Sequence, residues 1–107
     1  MAPRGPETVR EPMRREIVIA NPQGLHMRPA AAFAELAGRF ESSVIVFRDE
    51  AQPVDGKNWL ELLLLAAEPG TKLTVEVAGA DAADALDALA EILASPTPPG
   101  EEGAAQE

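Results

Sequence analysis

Residues 16–30 read Glu16-Ile17-Val18-Ile19-Ala20-Asn21-Pro22-Gln23-Gly24-Leu25-His26-Met27-Arg28-Pro29-Ala30. A β-branched apolar run ends in an Asn-Pro-x-Gly turn, which predicts a strand followed by a reversal. Pro29 falls where a first helical turn tolerates it, because an N–H at that position has no acceptor to lose. Beyond it Ala30, Phe33, Ala34, Ala37 and Phe40 recur at helical spacing, so a helix is expected over about 28–39.

Outward from this unit the same periods repeat. Val44-Ile45-Val46-Phe47 predicts a strand, the polar stretch 48–53 a turn, and Val54 the start of a brief returning strand. Asn58 with Glu61 makes a capping-box pattern, and Pro69-Gly70 is a stop, so a second helix is expected over about 58–67. Leu73-Thr74-Val75-Glu76-Val77 alternates apolar and polar, the pattern of a strand with one buried face. Asp81 is expected to cap a third helix, in which Leu86, Leu89, Ala90 and Leu93 form one stripe. The order βαββαβα predicts an α+β fold with a four-stranded antiparallel sheet covered on one face by three helices.

One core is all that 107 residues accommodate. Apolar residues make up 46% of the chain and aromatics 4%, so that core is aliphatic. The first fifteen residues hold three prolines and four arginines and little to bury, and residues 95–107 are Pro-rich and acidic. The expected organisation is a disordered leader over 1–15, a folded domain over 16–94 and a disordered acidic tail over 95–107. The chain has no cysteine and one histidine, which removes disulfides, thiolate chemistry and multi-histidine metal sites. No metal or cofactor is expected. No apolar run reaches the roughly 20 residues that span a bilayer, and no apolar signal core precedes residue 16, so a cytoplasmic protein is expected. The formal net charge of −9 argues against nucleic acid as a partner.

The chemistry concentrates on Gly24-Leu25-His26-Met27-Arg28-Pro29-Ala30, which sets the only histidine at a helix entrance. Backbone N–H groups there lack intrahelical partners, and the helix dipole favours an anion. With Arg28 two residues away, the position suits a dianionic phosphoryl group, and a neutral imidazole is a nucleophile able to carry one. Gly24 allows close backbone approach. The expected phosphate cradle is Arg28 with backbone at Gly24, Met27 and Ala30. Nothing supplies a second acid–base group beside His26, so independent turnover is not expected. The second helix carries more apolar side chains than one face can bury. Leu62 and Leu65 are expected to face the sheet, leaving Trp59, Leu60 and Leu63 as an exposed docking patch.

At these residues the chain resembles the HPr histidine-containing phosphocarriers of the bacterial phosphoenolpyruvate-dependent phosphotransferase system. The resemblance covers roughly 16–94: Gly-Leu-His-x-Arg-Pro-Ala at 24–30, Asp55-Gly56-Lys57-Asn58 before the second helix, Gly70 before the fourth strand, and Gly79-Ala80-Asp81 before Asp84-Ala85-Leu86. It implies an open-faced β-sandwich (βαββαβα), phosphorylation of His26 at Nδ1 by Enzyme I, with phosphoenolpyruvate as the source, and onward transfer to EIIA-type domains. It also implies Arg28 as phosphate partner, a docking face on the second helix, and a carrier role in sugar uptake or regulation; a monomer is expected. A regulatory binding module of a nitrogen-related branch, signalling by its phosphorylation state, is the alternative. Low-GC Gram-positive members open the second helix with a regulatory serine. Asn58 stands at that position and no serine lies between Ser43 and Ser95, so that switch is expected to be absent.

Overall fold

Each element shows the core the side that its period dictates, and the sheet gathers those sides into one layer. The computed structural model describes residues 12–49 and 52–96. Along them run β1 (Met13–Val18), α1 (Met27–Ala37), β2 (Ser43–Arg48), β3 (Val54–Asp55), α2 (Trp59–Leu63), β4 (Lys72–Ala78) and α3 (Ala82–Ala94). This is the expected βαββαβα order. The strands form one antiparallel sheet in the order β1-β4-β2-β3.

Register places Ile17 opposite Leu73 and Val44 and Val46 opposite Val77 and Val75. All six are buried and face Phe33 of α1, Leu62 of α2 and Leu86, Leu89 and Leu93 of α3. Burying each such side chain fully contributes about 1.5–3 kcal/mol, so this single layer is the main stabilising term. The alternate residues form the open face, where Arg14 pairs with Glu76 at 3.0 Å and Lys72 with Glu16 at 3.7 Å.

Three local expectations are corrected. β1 starts at Met13, so residues 13–15 belong to the sheet and not to a leader. Their backbone pairs with Val77, Glu76 and Val75, and Arg14 and Arg15 reach Glu76 and Asp87, which offsets the charge of an arginine-rich strand. The rest of the expected leader, 1–11, and of the expected tail, 97–107, lies outside the described residues.

The second helix stops at Leu63. Leu64, Leu65 and Ala66 donate instead to Glu61, Leu62 and Leu63, the tighter i→i+3 pattern, and Ala66 ends in the left-handed region at φ +51°. Asn58 caps this helix as expected, accepting from Leu60 and Glu61 amides at 3.0 and 3.3 Å. Glu61 turns instead to the Asp55 N–H at 2.9 Å, so the capping box is not reciprocal.

Asp81 stands at the N-cap of α3, but its side chain makes no cap hydrogen bond. Its carboxylate accepts from the Glu41 and Ser42 amides and the Ser42 hydroxyl, tying the start of α3 to the entry of β2. The local reason is Gly79, at φ +149°. A Cβ there would lie 2.4 Å from the Ser42 Oγ, so only glycine lets the two segments close enough for this clasp.

The Ser42 hydroxyl bond first, then the Glu41 amide, holds the Asp81 carboxyl below its usual range. A depressed folded value means that stability is present above about pH 4 and lost as pH falls through and below it. Urea midpoints should therefore separate wild type from Asp81→Asn at neutral pH, with the gap narrowing as the pH is lowered below about 4. A gap independent of pH would show that the charge is not what the clasp uses.

Candidate functional site

The turn that carries the histidine is built from inside the protein. Asn21 is buried, and its Oδ1 accepts the Gln23 N–H at 2.9 Å while its carbonyl accepts the Gly24 N–H at 2.8 Å. Gly24 takes φ +76°, and a Cβ on it would sit 2.5 Å from the Ala67 carbonyl oxygen. Next, the Leu25 N–H donates to that oxygen at 2.9 Å, and the Leu25 side chain is buried in the core. The turn is thus pressed backbone to backbone against the segment that follows α2.

His26 emerges from this seat as the N-cap of α1, with φ −92° and ψ −168° and no side-chain cap bond. Its carbonyl accepts the Ala30 N–H at 3.0 Å, the bond that starts the helix. Ahead of that bond lie Met27 and Arg28, whose amides helix geometry leaves without intrahelical acceptors. Pro29 is buried and brings no N–H. The imidazole is half-buried, and its Nε2 is fully shielded with no hydrogen-bond partner among the described residues. A shallow depression lined by Gln23, His26, Met27, Arg28 and Ala31 opens at this point.

His26 and Arg28 come together as expected, and two members of the expected cradle are corrected. The Gly24 amide is spent closing its own turn and the Ala30 amide is spent on His26, so neither is available to a bound anion. Gly24 serves by close approach. Met27, the remaining member, sits beside Arg28 at the head of α1.

Trp59 and Leu60 are 40% and 59% exposed, as expected of a docking patch, but Leu63 is half-buried against the core. The exposed leucine is Leu64, at 77%. With Leu62 and Leu65 both buried, a step of 100° per residue puts Leu63 and Leu64 at equal angles on either side, and only neighbouring elements decide between them. Met27, at the site itself, is 59% exposed. Sequence reasoning also passed over Arg48, whose guanidinium donates to the carbonyls of Leu65 and Ala66. A lone arginine at the end of a strand carries no local signal for that. Among the described residues no group of three or more His, Cys, Asp or Glu could hold a metal ion, and no helix is long and apolar enough to cross a membrane.

A family model described as the PTS HPr component phosphorylation site matches residues 13–95. The phosphocarrier protein HPr of Pseudomonas putida is 44% identical over 79 residues, which cover 74% of this chain and 88% of that protein. The phosphocarrier protein NPr of Proteus mirabilis is 31% identical over 70% of this chain and 83% of its own length. A crystal structure of HPr from Bacillus anthracis superposes with TM-score 0.72 at 29% identity, covering 77% of this chain and 96% of that one.

Because the seat of the turn has no space for a side chain, Gly24→Ala should lower stability by about 1–3 kcal/mol through backbone strain and displacement from Ala67. A thermal midpoint unchanged from wild type would remove the close approach as the reason for glycine here.

Proposed function

The chain belongs to the HPr family of phosphocarriers of the phosphoenolpyruvate-dependent phosphotransferase system, and on that premise we propose that His26 accepts a phosphoryl group from Enzyme I and passes it to EIIA-type domains. The observation that carries this reading is the placement of His26: it caps the entrance of α1, with Nε2 turned into the protein and Arg28 at the same depression. In the proposed step the Nδ1 lone pair forms the N–P bond as the bond from phosphorus to the donor breaks. The Met27 and Arg28 amides, the positive end of α1 and the Arg28 guanidinium stabilise the equatorial oxygens. On transfer outward the N–P bond breaks and the imidazole returns unchanged, so the chain is a carrier and its turnover belongs to its partners.

Trp59 and Leu60, with Leu64 and Met27, supply the apolar contact for those partners. The likeness to NPr favours a second reading, a regulatory module of a nitrogen-related branch whose targets sense phosphorylation without receiving the group. The protein acts as a monomer in the cytoplasm on either reading. Asn58 in place of a serine leaves regulation by phosphorylation at the start of α2 without its acceptor.

Incubation with phosphoenolpyruvate, Mg²⁺ and a competent Enzyme I should place one acid-labile phosphate on the protein and none on His26→Ala. Label passing on to an EIIA domain supports the carrier reading over the regulatory one. Arg28→Lys, which loses the bidentate fork, should slow transfer about tenfold. Absence of label on the wild-type chain would sink the proposal. Trp59→Ala should weaken Enzyme I binding by about tenfold with the cooperative melt retained. Loss of the melt would instead make Trp59 a packing residue.

A further inference from the structure

Arg48 lies at the end of β2 opposite Leu73, on the face of the sheet that the helices cover. Its Nη1 donates to the Leu65 carbonyl at 2.9 Å and to the Ala66 carbonyl at 3.1 Å. These are the last carbonyls of the helical segment that begins at α2, and a guanidinium there satisfies groups that helix geometry leaves open. Ala66 itself sits at φ +51°, a conformation an L-residue resists and keeps only where its surroundings hold it. One residue further, the Ala67 carbonyl receives the Leu25 N–H at 2.9 Å, and Leu25 directly precedes His26. Gly24 is packed against the same carbonyl.

We propose that Arg48 is a positioning residue for the phosphoryl site: by clamping the Leu65 and Ala66 carbonyls it holds the left-handed turn that aims the Ala67 carbonyl at Leu25, and so fixes the seat of His26. Arg48 does not touch the reacting group. It acts through Ala66, Ala67 and Leu25, a path of hydrogen bonds from the end of the second strand to the entrance of the first helix. This inference rests on the carrier reading for its consequence in transfer, but the geometry it asserts can be read without any phosphoryl donor.

The test uses the full chain as wild type, Arg48→Ala, and Arg48→Ala combined with Ala66→Gly. Amide hydrogen exchange at Leu25 and the rate of His26 phosphorylation by Enzyme I are followed in each. Arg48→Ala should speed Leu25 exchange, leave the β4 amides protected, and slow phosphorylation about tenfold, the scale expected of a misplaced reacting group. Adding Ala66→Gly should recover both quantities, because glycine adopts a positive φ without help. Wild-type exchange and rate in Arg48→Ala would overturn the proposal, and so would a defect that Ala66→Gly leaves untouched. If Arg48→Ala does not fold, Arg48→Met, which keeps the aliphatic stem and donates nothing, is read by the same two measurements and should show the same faster Leu25 exchange and slower phosphorylation. A wild-type chain that takes no label defeats the carrier reading, and Leu25 exchange then still decides whether Arg48 holds the seat.

Discussion

The contact on which this molecule depends is the backbone seat between Gly24-Leu25 and Ala67. One N–H donates to one carbonyl across it, and a single hydrogen bond of that kind has a modest net worth, about 0.5–1.5 kcal/mol. What it decides is position. The seat fixes the end of the turn, the turn fixes the first residue of α1, and that residue is His26. A histidine on a surface loop would sample many orientations; here the residue follows a buried leucine and heads a helix, with its Nε2 shielded.

The rest of the fold can be understood as support for that seat. β1 and β4 run together and extend their ladder past β1 through Ile19, whose N–H meets Thr71 and whose carbonyl meets Gly70. This brings both sides of the seat to one end of the sheet. Phe33 and Leu62 anchor α1 and α2 to the shared core, and the two helices pack against each other. At the other end of α1 the Asp81 clasp joins α3 to β2. The histidine end carries exposed Met27 and Arg28, whereas the opposite end is closed by local hydrogen bonds.

Acidity shapes the surface without reaching the site. From Met13 to Ala94 the chain carries seven basic residues against thirteen acidic ones, a net charge of −6, yet the residues lining the depression at His26 include Arg28 and no carboxylate. Backbone partial charges and one guanidinium therefore set the local potential, acting at short range where the net charge is screened. The exposed apolar side chains Trp59, Leu60 and Leu64 lie on a surface whose net charge is negative.

Element order, the buried alternation of β4, the apolar stripes of α1 and α3, and the association of His26 with Arg28 at a helix entrance were all legible in the sequence, because each depends on residues close together in the chain. Periodicity and turn chemistry are local properties, and local physics is sufficient for them. The start of β1 was not legible, since residues 13–15 become strand only through pairing with residues some sixty positions away. Nor was the true partner of Asp81, the early stop of α2, the choice of Leu63 over Leu64 for burial, or the spending of the Gly24 and Ala30 amides. By itself the sequence determined that the chain's one histidine stands at the head of a helix over an aliphatic core. Tertiary structure alone decided which ring nitrogen is shielded and what holds the turn beneath it, because those are settled by contacts between segments that no local pattern encodes.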